Sequence, residues 1–405
     1  MPANTLNLES VRGSFPALAR DQVYFDNAGG SQVLGTVAES IRDYLLNTNV
    51  QLGASYVTSK KSTQRYEEGY GAAAKYIGAS DSEIVQGPST TQLFRNISYA
   101  LDFQPGDEVV ISAIDHEANI APWVGLAERQ QLILKWWLPD TADPTSPKLF
   151  AEDLKGLLSN RTRLVTCTHA SNILGTIHDI KAIVKAVRSG PSPDALVGVD
   201  AVAYAPHRKI DVKELGVDLY AFSWYKVYGP HMAILYATSR AQAQLRSLGH
   251  HSNPQNTLED KLGLAAASYE LVSGIPAVLE YLEGDSPKWD GIVAQESALQ
   301  EMLLAYLNGR DDVTVWGERS ADSAVRVSTI SFTIEGWGSQ DFVETVEKES
   351  RFGFRWGSFY SVRLVEEILG LGKDGIIRVS MVHYNTVDEV KGLVKVMDDV
   401  LSRGK

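Results

Sequence analysis

Chemically reactive side chains stand at or just after the ends of several short apolar runs in this chain. The four that matter most are His116, Asn172, Asp200 and Lys226. In an open α/β sheet, ligands bind beyond the carboxyl ends of the strands. We therefore expect an imidazole, an amide, a carboxylate and an amine to share one cleft.

A second feature of the sequence suits an anion. Ser89, Thr90 and Thr91 follow a Gly-Pro pair and directly precede a predicted helix at 93–101. Free backbone N–H groups at the start of a helix, together with hydroxyl side chains, bind phosphate well. The segment is therefore a candidate phosphate site.

An amine, a buried acid, a flat ring and an anion site together suit pyridoxal 5′-phosphate. Lysine forms the Schiff base with this cofactor, and an aspartate opposite the pyridine nitrogen keeps the ring protonated, so that it withdraws electrons. Taken singly, each residue has an ordinary explanation: a surface histidine, a solvated lysine, or a serine or aspartate that caps a helix. Their appearance in order at successive strand ends favours the cofactor site.

The sequence around these residues alternates between short apolar runs, typical of strands, and segments with the spacing of amphipathic helices. Short apolar runs separated by amphipathic helices predict a mostly parallel sheet with helices on both faces. The predicted strands are 107–113, 132–137, 163–168, 195–200, 217–222 and 232–237, and helices are predicted at 118–129, 150–158 and 180–187.

The pattern changes after about residue 240. A polar loop at 247–260 is followed by predicted helices at 265–283, 289–307, 339–349 and 387–401, with strands at 313–316, 325–334 and 376–381. We expect a large cofactor-binding domain at 21–260 and a small α+β C-terminal domain at 261–405. Residues 1–20 are too short to fold alone, so we expect them to pack on one of the two.

Composition narrows the class of protein. The chain has 405 residues, a net charge of −12 and one cysteine, Cys167, so neither an intrachain disulfide nor a cysteine-built metal site can form. We expect no metal. An acidic chain repels phosphate backbones, so we expect no nucleic-acid partner. The absence of a long apolar run and of a signal sequence predicts no membrane association and a cytoplasmic location.

The chain resembles the class V aminotransferases of fold type I, in the cysteine desulfurase-like group. The resemblance is carried in family order by YFDNAGG (24–30), STT (89–91), DHEANIAPW (115–123), SNILGT (171–176), VD (199–200), SWYKVYGP (223–230) and RVSMVHYNT (378–386). It implies an α/β fold with a mostly parallel seven-stranded sheet between helices and a smaller C-terminal α+β domain. It also implies pyridoxal 5′-phosphate and a homodimer with shared active sites.

The resemblance also implies residue roles. Lys226 would form the Schiff base and move the proton at Cα, His116 would stack on the pyridine, and Asp200 would pair with its nitrogen. The implied cofactor contacts are Ser89, Thr90, Thr91, His116, Asn172, Asp200, Ala203, Ser223, Tyr225 and Lys226. The implied substrate contacts are Arg378 for the α-carboxylate, Asn27 and Ala28 beside it, and Trp356, Phe359, Tyr360, His250 and His251 as walls. The last two are expected from a second subunit, or else belong to a solvated polar loop.

Two departures from the family affect the expected reaction. Ala203 stands where desulfurases carry a glutamine, which leaves room for a bulky substrate or for a water. Tyr360 lies near the position of the cysteine that accepts sulfur in desulfurases, and Cys167 sits inside a predicted buried strand, where cysteine behaves as a small hydrophobe.

We therefore expect an enzyme that acts on an α-amino acid by lyase chemistry at Cβ or Cγ, with C–C bond formation as a coupled step, in secondary metabolism. It is not expected to form a persulfide. Transamination, epimerisation, a thiol-independent cysteine or selenocysteine lyase reaction, and a catalytically inactive scaffold are the alternatives.

Overall fold

The computed structural model describes residues 6–263, 265–284 and 287–404. In chain order its strands are β1 (Val23–Tyr24), β2 (Ile84–Gly87), β3 (Glu108–Ser112), β4 (Ile133–Trp137), β5 (Thr162–Thr168), β6 (Leu196–Asp200), β7 (Leu219–Ser223), β8 (Ala233–Ala237), β9 (Val313–Trp316), β10 (Thr329–Ile334), β11 (Phe352–Gly353), β12 (Arg355–Gly357) and β13 (Ile376–Ser380). Its α-helices are α1 (Leu8–Gly13), α2 (Gly35–Asn47), α3 (Val57–Tyr76), α4 (Thr90–Ala100), α5 (Ala121–Gln130), α6 (Ala151–Lys155), α7 (Ile180–Arg188), α8 (Val212–Leu215), α9 (Ser239–Gln242), α10 (Leu258–Leu262), α11 (Tyr269–Val272), α12 (Ile275–Glu283), α13 (Trp289–Asn308), α14 (Ser339–Glu349) and α15 (Val387–Arg403).

The larger sheet has seven strands in the order β2-β8-β7-β6-β5-β3-β4. Its strands pair in parallel from β7 through β4, and β8 is antiparallel to both of its neighbours. This confirms the expected mostly parallel sheet. The carboxyl ends of β3, β5, β6 and β7 consequently lie along one edge, where the reactive side chains follow.

Apolar side chains on both faces hold this sheet between helices. Within β3, Val109 and Ile111 face one core while Val110 faces the other. Successive side chains of a strand point to opposite faces, so a strand covered on both sides needs an unbroken apolar run. That is the pattern of residues 107–113.

A second sheet lies in the C-terminal part of the chain. Its order is β12-β13-β10-β9, and all of its pairs are antiparallel. Helices α13, α14 and α15 share one apolar core with it, which confirms the expected smaller α+β unit. Helices α11 and α12 follow residue 260 and nevertheless pack on α2 and α3. The domain boundary at 260/261 stays a prediction.

Three predicted elements differ from the structure. The helix predicted at 265–283 is two helices, α11 and α12, separated at Ser273 and Gly274, because Pro276 can start a helix but cannot continue one. The loop predicted at 247–260 ends early, since Thr257 and Asp260 form a capping box that starts α10. The helix predicted at 150–158 is only the short α6.

The N-terminal segment contacts both parts of the chain, although residues 1–5 lie outside the described residues. Phe15 packs edge-on against Tyr228 at 5.7 Å and against Tyr384 at 4.8 Å between ring centroids. Arg12 donates to the backbone oxygen of Tyr384 at 2.8 Å and pairs with Glu389 at 2.9 Å. Throughout the described ranges, no helix combines the length and apolar character needed to cross a bilayer.

Candidate active site

The predicted cofactor residues line one cleft at the carboxyl edge of the large sheet. His116 follows β3, Asp200 ends β6 and Lys226 follows β7. The lining of this cofactor cleft consists of Ser89, Thr90, Thr91, His116, Ala118, Thr168, Ala170, Asn172, Asp200, Val202, Ala203, Ser223, Tyr225 and Lys226. The structure therefore brings together every residue predicted to contact the cofactor, and their individual roles stay predictions.

The hydroxyl end of the cleft is built on the start of α4. Ser89 caps this helix, and its Oγ accepts a hydrogen bond from the backbone N–H of Gln92 at 3.1 Å. The Thr90 and Ser223 hydroxyls are 2.8 Å apart. Helix-start N–H groups and two hydroxyls form a donor set that fits a phosphate.

Tyr225 lines the cofactor cleft beside Lys226. Its ring stacks on the ring of His231, with centroids 4.9 Å apart and planes 9° from parallel. Burial raises the pKa of the phenol, so it stays protonated and can donate a hydrogen bond.

The amine and the carboxylate of the cleft are both buried. Burial, followed by repulsion from Arg378, lowers the pKa of Lys226 to about 8. Burial raises the pKa of Asp200 to about 6, against the opposing effects of a hydrogen bond from the Val202 N–H and of Lys226. Near neutral pH Lys226 therefore has an accessible neutral form, and Asp200 is mostly ionised.

His116 is held as a neutral ring. Its Nδ1 accepts a hydrogen bond from the backbone N–H of Ala118 at 3.0 Å. Burial, with repulsion from Lys226 and Arg378, lowers its pKa to about 4. A neutral imidazole with an occupied Nδ1 suits stacking on a cofactor ring better than it suits proton transfer.

The substrate end of the site adjoins the cofactor cleft. It is lined by Ala28, Gly29, His116, Asn172, Tyr225, Lys226, Arg355, Phe359, Tyr360 and Arg378. Arg378 is 2% exposed. Its Nη2 donates to Asp26 Oδ1 at 2.9 Å and its Nη1 donates to the Asn172 backbone oxygen at 3.1 Å. Its Nε is buried and has no hydrogen-bond partner among the described residues.

Asn27 does not line this site, contrary to prediction. Its side chain is buried and donates to backbone oxygens of Tyr24 and Ser380, both at 2.9 Å, and to Asn385 at 3.2 Å. A hydrogen bond from the hydroxyl of Tyr384 occupies its oxygen. Asn27 therefore ties the N-terminal segment to the C-terminal unit and holds the neighbouring Ala28 in the wall.

Trp356 also lies elsewhere. It packs against the core of the C-terminal unit, while its neighbour Arg355 lines the substrate end. Successive residues of a strand face opposite sides, and the pairing of Arg355 with Arg378 across β12 and β13 decides which side faces the site. His250 and His251 are exposed on the loop before α10 and do not line the cleft of their own chain.

Two charged residues at the substrate end, Asp26 and Arg355, were not predicted from the sequence. Asp26 binds Arg378, and its second oxygen lies 3.6 Å from Arg355 Nη1. Large apolar residues alternate with Arg355 along 354–357. This alternation could have indicated that Arg355 faces away from the core. No local pattern distinguishes Asp26 from its neighbours.

The single thiol is remote from solvent. Cys167 lies within β5 and is 0% exposed. Burial, with the nearby Asp115 and Asp200, raises its pKa well above the usual range, so it stays a thiol. Tyr360, near the expected sulfur-accepting position, is 71% exposed.

Comparisons with known proteins agree with this geometry. The chain is 56% identical over 407 residues to the aminotransferase-like protein FGM3 of Gibberella zeae, which covers 99% of this chain and 100% of that protein. It is 38% identical over 407 residues to the cysteine desulfurase-like protein ustD of Aspergillus flavus, covering 99% and 92%. The crystal structure of the Escherichia coli cysteine desulfurase CsdA superposes with a TM-score of 0.86 at 25% identity, covering 99% of this chain and 100% of that one.

A family model described as aminotransferase class V matches residues 23–393. The match contains the whole cofactor cleft and the substrate end. This chain therefore belongs to the class V aminotransferase family and is a pyridoxal 5′-phosphate-dependent enzyme.

Proposed function

We propose that the chain binds an α-amino acid through Arg378 and breaks a bond at Cβ or Cγ, with C–C bond formation as a coupled step, in secondary metabolism. One observation carries the proposal: a full cofactor cleft lacks an accessible thiol, since Cys167 is buried in β5. Persulfide transfer needs a thiolate that the substrate sulfur can reach. The reaction must therefore end without a protein persulfide.

When bound, the cofactor would supply an electron-withdrawing ring that stabilises negative charge at Cα. Asp200, mostly ionised near neutral pH, would hold the proton on the ring nitrogen. Lys226, with its pKa lowered to about 8, would accept the Cα proton in its neutral form and return it. His116 would cover one face of the ring and exclude water there.

Orientation decides which bond breaks, and the substrate end controls orientation. A guanidinium binds a carboxylate in one plane, and Arg378 lines the substrate end. Phe359 and Tyr360 line the substrate end, and the small Ala203 lines the adjoining cofactor cleft. In this proposal the substrate side chain extends towards Ala203, where a glutamine would take up space.

The two fungal relatives agree with a class V enzyme. Their names describe one as aminotransferase-like and the other as cysteine desulfurase-like.

A product survey tests the proposal. Purified holoenzyme is incubated with single α-amino acids, alone and with an α-keto acid or an aldehyde, and products are identified by mass spectrometry. Release of alanine or pyruvate, or a new C–C product, supports lyase chemistry. Amino-group exchange supports an aminotransferase, inversion at Cα supports an epimerase, and sulfide or selenide release supports a thiol-independent cysteine or selenocysteine lyase.

A pair of lysine variants distinguishes loss of the active-site amine from a general effect on the protein. Lys226→Ala should abolish every product, while Lys75→Ala, on the exposed side of α3, should leave them unchanged. Elimination that persists in Lys226→Ala would overturn the assigned role of Lys226.

We also propose a cytoplasmic homodimer in which His250 and His251 reach the partner's site. Both residues are exposed in the single chain, so a second subunit could contact them. Sedimentation velocity tests the dimer, and imaging of a tagged chain tests the location. His250→Ala and His251→Ala should alter substrate affinity only if the dimer forms.

A further inference from the structure

An aromatic ring lies against the arginine of the substrate end. The Arg378 guanidinium carbon is 3.7 Å from the centroid of the Phe359 ring, and the Arg355 guanidinium carbon is 5.5 Å from the same centroid. A cation close to a ring face is attracted by the ring quadrupole, and the attraction grows when water is excluded. Arg378 is buried, so its contact with Phe359 is the stronger of the two.

The backbone that carries this ring is strained. Phe359 has a φ of 47° and Tyr360 a φ of 58°, in the left-handed region that non-glycine residues seldom adopt. Strain of this kind persists only where the surroundings hold it in place. The two adjacent left-handed residues therefore need an anchor.

Three hydrogen bonds supply that anchor. Asn172 Nδ2 donates to the Phe359 backbone oxygen at 3.2 Å, and the buried Ser361 hydroxyl donates to Asn172 Oδ1 at 3.0 Å. The N–H of Glu117, next to His116, donates to the Tyr360 oxygen at 2.8 Å. The segment is fixed to the cofactor cleft from two sides.

The remaining contacts of Arg378 show what the ring adds. Asp26 and the Asn172 backbone oxygen accept hydrogen bonds from its two terminal nitrogens. These bonds lie in the guanidinium plane, so packing must prevent rotation out of that plane. The ring of Phe359 supplies this packing on one face. Its contact holds the guanidinium plane, and with it the unpartnered Nε, in a single orientation.

We propose that Phe359 is a positioning residue for Arg378: its ring fixes the guanidinium plane in which the substrate α-carboxylate is bound. The inference rests on the proposed function, in which Arg378 binds that carboxylate. The Phe359 side chain is apolar and offers no hydrogen bond to a substrate. Its effect should fall on amino-acid affinity and leave cofactor retention unchanged.

Three variants of the holoenzyme test this inference. Phe359→Leu keeps an apolar side chain and removes the ring, Phe359→Tyr keeps the ring, and Tyr99→Leu is the matched control. Tyr99 stacks with Arg129 at 4.0 Å away from the cleft. Thermal melting and cofactor absorbance check that each variant is folded and loaded.

Two readouts are measured. Labelling of Arg378 by phenylglyoxal, followed by peptide mass mapping, reports how well the guanidinium is covered. Titration with L-alanine, followed by the absorbance of the bound cofactor, reports affinity. Phe359→Leu should label Arg378 faster and bind L-alanine about 2- to 30-fold more weakly. Phe359→Tyr, which keeps the ring, should recover most of the wild-type labelling rate and affinity, and Tyr99→Leu should match wild type.

Wild-type labelling and affinity in Phe359→Leu would overturn the inference. If Phe359→Leu exposes Arg378 to phenylglyoxal, but L-alanine neither protects Arg378 nor changes the cofactor absorbance of wild type, the guanidinium contact stands and the proposed function fails. The two failures are thus distinguishable.

Discussion

The lowered pKa of Lys226 predicts how fast the cofactor attaches to the apoprotein as pH changes. Attachment requires the neutral amine, because an ammonium has no free electron pair. Burial and repulsion from Arg378 lower the pKa of this amine from 10.5 to about 8. The attachment rate should therefore rise with pH and level off just above pH 8, instead of rising past pH 10.

The size of the effect follows from the two pKa values. At pH 8 an ordinary lysine with a pKa of 10.5 is about 0.3% neutral, whereas Lys226 with a pKa of about 8 is roughly half neutral. The buried amine should thus react on the order of 100-fold faster at this pH than a solvated lysine of equal nucleophilicity. Arg378 and Asp200 act on this pKa in opposite directions.

Stopped-flow absorbance measures the attachment rate of cofactor to apoprotein from pH 6 to 10.5. Arg378→Gln should move the midpoint up, because it removes a repelling cation, and Asp200→Asn should move it down. Arg403→Gln is the control, since this exposed arginine pairs with Glu349 and lines neither the cofactor cleft nor the substrate end. A wild-type midpoint at pH 10 or above would refute the reasoning, as would an Arg378→Gln profile identical to wild type.

Three further changes have defined outcomes. Cys167→Ala should keep full turnover and lower the free energy of unfolding by about 1 kcal/mol, measured by urea melts, because the thiol only fills core space. Asp26→Asn should weaken L-alanine binding about tenfold in the absorbance titration, because it removes the charged partner of Arg378. Ala203→Gln should lower kcat/KM about 10- to 200-fold for substrates with large side chains and spare small ones, because Ala203 lines the cleft.

Residues at strand ends were predictable because their position depends on short-range patterns. An apolar run such as 107–113 fixes a buried strand, and parallel neighbours place the next residues at one edge. His116, Asp200 and Lys226 needed no further information. The division of 269–283 into two helices could also have been predicted locally, because Gly274 and Pro276 interrupt the helical pattern.

The substrate end depended on contacts between distant parts of the chain. Asn27 is taken out of the site by Ser380 and Asn385, which lie more than 350 residues away along the chain. Arg355 faces the site and Trp356 the core because β12 pairs with β13 in one register. A shift of one residue would exchange them, and the short alternation within 354–357 indicates the register but is too short to fix it.

The cofactor end is thus determined by local sequence patterns, whereas the substrate end, which selects the reaction, is determined by contacts between distant segments. The cofactor end rests on buried strand ends, where a change of side chain disturbs the sheet. The substrate end rests on a segment whose backbone is bound by Asn172 and Glu117, while the Tyr360 side chain is exposed. A side chain that does not hold its own backbone in place can be exchanged without moving Arg378 or Phe359. The thiol-free reaction proposed above would therefore require a new side chain on this fixed segment, together with the exchange of a glutamine for Ala203 in the cofactor cleft.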